Sequence, residues 1–328
     1  MFKIIINRGL LRKVVELKKA IDSCGFILVR DIHMKNITFI KDYKDNNKLH
    51  SSFNELANSV FGISFEEWYQ YGFWNERYIP YSFVLDEKVI ANVSVNLLNI
   101  FINGEEKSAV QIGTVMTHPD FRNKGLSGIL MRKVLEDYEK KCDFMYLFAN
   151  DTVLNYYPKF EFEVVKETQF YCDNYKSAPG RKPFKKLDGN NQEDLRFIYE
   201  FAKDRVPVSQ NFGSTNSHGI LMFYCSSVYR NNLYYLEEDN VIVILHVEKE
   251  IVHIYDLIAK KKFCLDKILN KIVPDGIEKV IFHFTPDDEN HLIIKNKPFH
   301  EEGETMFVRN IGNVLFPKSF KHPLLSQA

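Results

Sequence analysis

Val115 to Gly128 of this 328-residue chain read Val-Met-Thr-His-Pro-Asp-Phe-Arg-Asn-Lys-Gly-Leu-Ser-Gly, and an amphipathic pattern follows at once. An apolar strand end, a basic loop with glycines and a helix start, in that order, make an anion site. The first amides of a helix have no partner within it, and the helix dipole adds positive potential there. Gly125 and Gly128 let the backbone come close to a phosphate, while Arg122 and Lys124 add charge. The loop matches neither G-x-x-x-x-G-K-[ST] nor G-x-G-x-x-G. On its own it says "anion at a helix start".

The elements that must position this loop follow from periodicity. Met34 to Ile40 suits a strand, and Leu49 to Ala57 with Phe65, Trp68 and Tyr69 suits two helices. Tyr81–Leu85, Val89–Ile102 and Ser108–Thr117 read as strands. Asn103-Gly104 between the last two is a strong hairpin signal. Leu126, Ile129, Leu130, Val134, Leu135 and Tyr138 give the post-loop helix one apolar face. Phe144–Ala149 is an unbroken apolar run, as expected of a strand buried on both faces in a parallel pairing. A short helix over Val153–Phe160 and a last strand over Glu163–Cys172 complete a β, αα, β, β, β, loop, α, β, α, β order.

Ser177–Pro183 has linker composition. Beyond it, helices over 193–206 and 262–272 and strands over 233–236, 241–247, 251–258 and 280–284 loosely repeat the first half, without a glycine loop. The expected division is an appendage over 1–33, with Met34 as an alternative start, a catalytic domain over 34–175, a linker over 176–190 and a worn copy over 191–328. The tail from Val314 to Ala328 stays apolar almost to its end. Disordered tails are usually polar, so this one is expected to pack back onto the body.

Composition excludes several classes. Lys+Arg and Asp+Glu are both 43, which argues against a dedicated nucleic-acid binder. No apolar run reaches transmembrane length. Five scattered cysteines without C-x-x-C suit reduced thiols in a cytoplasmic protein. No metal and no membrane partner are expected.

With the loop placed after the fourth strand, the first half resembles the GNAT superfamily of N-acetyltransferases. That family's [R/Q]-x-x-G-x-[G/A] loop is met by Arg122-Asn123-Lys124-Gly125-Leu126-Ser127, with Ser127 in place of the last small residue. A second signature, roughly N-x-x-A-x-x-L-Y-x-x-x-G-F, is kept at Asn150, Tyr157 and Phe162, with Val153 and Glu161 as departures. The resemblance implies an α/β (α+β) fold with a mixed central sheet and flanking helices, followed by a second GNAT-like α/β domain. It implies acetyl-CoA as cosubstrate, with Val115, Met116 and Thr117 pairing with the pantetheine arm. Arg122, Asn123, Lys124, Gly125, Leu126, Ser127 and Gly128 would hold the pyrophosphate, and Asn150 would reach the arm. Tyr157 would protonate the leaving thiolate.

The acceptor would be a primary amine of a small molecule or peptide, and its ammonium form needs a base. Many family members carry a carboxylate on the fourth strand; here that stretch is Gln111-Ile112-Gly113-Thr114. Glu67, Glu76 and His118 are candidates, as is the terminal carboxylate of Ala328, brought back by the apolar tail. In this family the early helices wall the acceptor pocket, so Trp68, Tyr71, Trp74 and Tyr81 are its candidate lining, suited to an amine with an apolar body or to a cation. An acyl-CoA-binding or sensing module and a tRNA-dependent aminoacyl transferase are the competing readings. Oligomeric state is not legible.

Overall fold

The structure, a computed structural model, describes residues 36–175, 184–287, 292–299 and 304–328. The expected appendage over 1–33 and the linker stretch Ser177–Pro183 lie outside them.

The first half runs β1 (Thr38–Lys41), α1 (Asn47–Phe61), α2 (Glu66–Gln70), β2 (Tyr78–Leu85), β3 (Lys88–Ile102), β4 (Glu105–Thr117), α3 (Leu126–Tyr138), β5 (Phe144–Ala149), β6 (Glu163–Val164) and β7 (Thr168–Asp173). The second runs β8 (Lys185–Leu187), α4 (Gln192–Lys203), β9 (Phe212–Thr215), α5 (His218–Ser226), β10 (Leu233–Leu236), β11 (Val241–Glu248), β12 (Ile251–Ala259), α6 (Leu265–Ile272), β13 (Lys279–Phe282), β14 (Lys295–Pro298) and β15 (Thr305–Asn310). The β3–β4 hairpin closes through Asn103 and Gly104, both at positive φ (51° and 83°), the conformation a two-residue turn of the right hand requires. Asn46 caps α1 by accepting from the Leu49 amide, and Gly62 ends it in the left-handed conformation. Its apolar stripe of Leu49, Phe53, Leu56 and Ala57 is buried.

Two expectations differ in detail. Val153–Phe160 forms two 3-10 turns, over Asp151–Val153 and Tyr157–Phe160, because Pro158 lacks the amide a longer helix needs. The single strand expected over 163–172 is two strands in different sheets.

The first sheet has the order β1-β2-β3-β4-β5-β15-β6, with β9 beside the far end of β3; the second has β14-β7-β13-β12-β11-β10-β8. The halves therefore exchange strands. β15 lies antiparallel to β5, pairing Thr305 with Ala149 and Asn310 with Phe144. β7 lies antiparallel to β13. Each sheet holds one parallel pair, β4–β5 and β12–β13. In both, the pairing stops before the first strand ends. β4 leaves β5 after Ile112–Leu147 and continues to Thr117, and β12 leaves β13 after Ile254–Phe282 and continues to Ala259. Each sheet therefore carries a fork.

The tail packs back, as its composition suggests. Lys321 and Thr285 exchange main-chain and hydroxyl hydrogen bonds, and the Leu324 amide donates to the His283 carbonyl at 3.0 Å, so the tail enters the fork of the second sheet. The buried Lys321 ammonium pairs with Glu167 at 3.2 Å and sits over the Phe299 ring. His322 is fully buried, with Nε2 3.0 Å from the Tyr146 hydroxyl.

Burial, with Lys321 nearby, pushes the His322 imidazole down to about 3; burial, then His253 and Lys321, do the same to His283. Both are neutral in the folded protein but protonate near 6.5 when unfolded. Between about 3 and 6.5 the unfolded chain binds more protons, so stability is present above 6.5 and is lost as pH falls through that window. Melting temperatures followed by circular dichroism should drop steadily from pH 6.5 to pH 4. A His322→Gln variant should drop less; an identical slope would remove His322 from this account.

Candidate functional site

The fork of the first sheet opens beside the glycine loop. Opposite Val93, a bulge interrupts the β3–β4 register between Asn92–Met116 and Ser94–Gly113, and Thr114 takes a positive φ of 49°. The Asn92 side chain fixes this bulge by donating to the Thr114 carbonyl at 2.8 Å. Past Ile112, β4 thus presents main-chain groups toward the opening. Gly125 sits at the N-cap of α3 with φ 77°; no side chain caps that end and no acidic residue occupies its first turn. The leading amides of α3 are therefore left for an anion. Arg122, Asn123 and Lys124 are exposed on the loop. Leu126 is buried, tying the helix to the sheet, and Gly128 faces Phe160 and the Tyr156 hydroxyl. Tyr156 donates to Ser127 Oγ at 3.0 Å, which gives a use for the serine that stands in place of the small residue.

The tail leaves the second fork and ends in the first. Gln111 on β4 holds it by two hydrogen bonds and is itself steadied by Tyr146. Its Nε2 donates to the Ser326 carbonyl at 2.7 Å and to the Tyr146 hydroxyl at 2.9 Å, and its Oε1 accepts from the Ala328 amide at 2.5 Å. Ser326 Oγ lies 2.6 Å from Ser214 Oγ and 2.9 Å from Ser217 Oγ, and Tyr224 donates to the Gln327 carbonyl at 2.9 Å. Gly113 makes room for the end: a Cβ built there would meet the Ala328 carboxyl carbon and oxygen at 3.3 Å. Gly113→Ala should displace the Ala328 carboxyl group by a few tenths of an ångström. The expected turnover is about tenfold lower, since catalytic geometry tolerates little misplacement, at an unchanged melting temperature. Unchanged steady-state turnover would show that the contact relaxes freely.

A cavity of about 480 Å³ fills the fork. Val115, Thr117, Ser127, Asn150, Tyr157 and Ala328 line it, joined by Trp68 from the aromatic segment. Met116 is buried on the other side of β4. Asn150 caps the following 3-10 turn, its Oδ1 accepting from the Thr152 amide at 3.1 Å, and still faces the cavity. Tyr157 is buried against Phe162 and Phe307, and desolvation, then Tyr156, raises its phenol above the usual range.

Tyr71, Trp74 and Tyr81 are not in the cavity wall. Trp74 is core, with Nε1 donating to the Tyr78 carbonyl, and Tyr81 donates to Asp137 at 2.7 Å. Tyr71 packs on Phe73. Period-two alternation sends Tyr81 and Tyr78 to opposite faces of β2, and it is Tyr78 that lines the cavity. Glu67, Glu76 and His118 are also absent from the wall; Glu67 pairs with Arg230, and His118 caps the Pro119–Phe121 turn.

The sequence reading missed Tyr78, Asn96 and α5, whose Ile220, Phe223 and Tyr224 close the wall. The apolar run of α5 has no helical stripe to reveal it, because both of its sides are covered.

A family model described as an acetyltransferase (GNAT) domain matches residues 44–165, which contain the bulged strand, the loop and both signature turns. Residues 44–165 are a GNAT acetyltransferase domain. Solved structures of similar fold include a probable N-acyltransferase from Enterococcus faecalis V583 (15% identity, TM-score 0.56, 84% of this chain and 72% of that one). Others are Eis1 from Mycobacterium abscessus (12%, 0.52, 84% and 74%) and a GCN5-related N-acetyltransferase from Kribbella flavida (13%, 0.51, 84% and 72%). At these identities they share the fold. No curated protein matches the sequence. The GNAT domain borrows β15 from the second, GNAT-like half, whose own fork holds the tail and has no glycine loop. Among the described residues, no helix is long and apolar enough to cross a membrane.

Proposed function

We propose that the protein transfers an acetyl group from acetyl-CoA to a primary amine of a small molecule or peptide, by direct attack. The observation that carries this reading is the meeting of four features on one cavity: the bulged β4, the start of α3, Tyr157 and the chain end. The residues present fit CoA. Val115 and Thr117 face the fork, the uncapped α3 amides suit a pyrophosphate, and Asn150 stands across from them.

The rest is done by this chain's own groups. A chain that ends at Ala328 places an α-carboxylate in the cavity, where it takes the proton that the attacking ammonium must lose. It thereby does the work expected of a carboxylate on β4, which the Gln111–Thr114 stretch lacks. Tyr157 keeps its proton at neutral pH, because burial disfavours the phenolate. It gives that proton to the departing sulfur. Amides and hydroxyls around the fork hold the thioester, and aromatic walls exclude water.

The test is thiol release from acetyl-CoA in the presence of an amine panel, together with calorimetric titration of CoA. Amine-dependent release is expected. CoA binding without release from any amine would favour a binding module.

A further inference from the structure

Among the described residues, no side chain lining the cavity is charged. The negative group that a chain ending at Ala328 would place there is its α-carboxylate, enough for one ammonium. The α1–α2 segment contributes Phe61, Phe65 and Trp68 to the wall, β2 contributes Tyr78, and α5 contributes Phe223 and Tyr224. Two of these stand next to the chain end. Tyr224 donates to the Gln327 carbonyl at 2.9 Å, and the Tyr78 hydroxyl bonds Thr114 Oγ1 at 3.0 Å, beside the glycine that Ala328 lies against.

The polar ends of this wall are thus spent on the protein. The same holds for Trp68, whose Nε1 donates to the Gly219 carbonyl at 2.7 Å. Asn96 and Gln327 are buried, and Asn96 Nδ2 and Gln327 Oε1 lack accessible surface. What is left for the body of an acceptor is chiefly carbon. The apolar lining also runs outward. Phe65 and Phe223 meet with ring centroids 5.3 Å apart, Phe223 is half-buried, and Phe61 is 43% exposed.

An apolar body buried here gains by leaving water. A second ammonium would find no counter-charge in the wall. The pull of a ring face on a cation is smaller than the cost of stripping an unpaired ammonium of its water. The Trp68 ring is already engaged by Phe65, Trp74 and Tyr78. A carboxylate on the acceptor would meet no cation and would be repelled by Ala328.

We propose that the acceptor is a monoamine whose remainder is wholly apolar, an alkylamine or arylalkylamine. Its nitrogen lies at Ala328 and its body against Trp68 and Phe223. This rests on the transferase reading above for what happens to the amine, but the recognition is independent of turnover.

The test is calorimetric binding to the full chain saturated with CoA, using hexylamine, hexamethylenediamine and aminocaproate, which share a chain and differ at its far end. Thiol release from acetyl-CoA is followed separately. Hexylamine should bind best, and the other two about a hundredfold more weakly. From butylamine to hexylamine, affinity should rise about fourfold per methylene, the gain expected of buried CH₂. Diamine or amino acid binding as tightly as hexylamine would overturn the proposal, as would an affinity flat with chain length or no binding by any of the series. The expected ranking without thiol release would uphold it and sink the transferase reading instead. Phe223→Glu adds a counter-charge and should raise diamine affinity about tenfold, an effect that damage to folding cannot produce. Unchanged diamine affinity in a variant that still binds CoA would overturn the placing of the body against α5.

Discussion

A single glycine appended after Ala328 should lower turnover with amine by about 10²–10⁴-fold, the usual contribution of a positioned acid–base group. The addition converts the Ala328 carboxylate to a neutral amide and moves the new carboxylate roughly 3.5 Å along the chain. The rest of the tail is held upstream of that point by Gln111, Ser214, Ser217 and Tyr224. The fold and the affinity for CoA should therefore persist, as calorimetry would report. Ala328→Gly keeps the carboxylate and should stay close to the parent. Full turnover by the extended chain would remove the terminal carboxylate from the mechanism and leave the base without an occupant.

Tyr157→Phe should lower kcat by about a hundredfold, the loss expected when a general acid is removed and water substitutes for it. Its hydroxyl has no hydrogen-bond partner among the described residues, and its ring packs on Tyr156, Phe162 and Phe307. Phenylalanine keeps those contacts, so the melting temperature and the KM for acetyl-CoA should hold. The parent profile of kcat should fall only at pH above the ordinary tyrosine range, because burial raises the phenol. Stopped-flow or steady-state thiol release against pH would show that fall lost in the variant. A variant at parental rate would assign protonation of the sulfur elsewhere, with the neighbouring Tyr156 next to be replaced.

The sequence made the first half legible because its signals are local. Asn103-Gly104 dictates a hairpin, the Leu126–Tyr138 stripe dictates a helix, and Asn150 and Tyr157 stand at a spacing set by one turn of chain. The loop at Gly125 was readable for the same reason, since a strand, a left-handed glycine and a helix start are consecutive. What remained hidden depends on distant pairing. Nothing around Thr305–Asn310 announces that this strand belongs beside β5, and nothing in Thr168–Asp173 announces β13 as its partner. The aromatic segment misled for a related reason. Phe65, Trp68, Tyr71, Trp74 and Tyr81 look alike in sequence, yet the turns of a short helix and the alternation of β2 send only some of them to the cavity. Gln111 showed itself first only as part of a stretch of β4 without a carboxylate; its meaning as the clamp of the tail required the tail's position.

The exchange of β7 and β15 has a consequence for inheritance. A gene fragment encoding only the family-matched segment would leave β5 with an unpaired edge, a surface that invites association with other chains. A fragment encoding only the second half would lack the strand beside β13. Neither half can be replaced by recombination without unravelling a sheet in the other. The second half is thus retained as long as the sheet of its neighbour is needed.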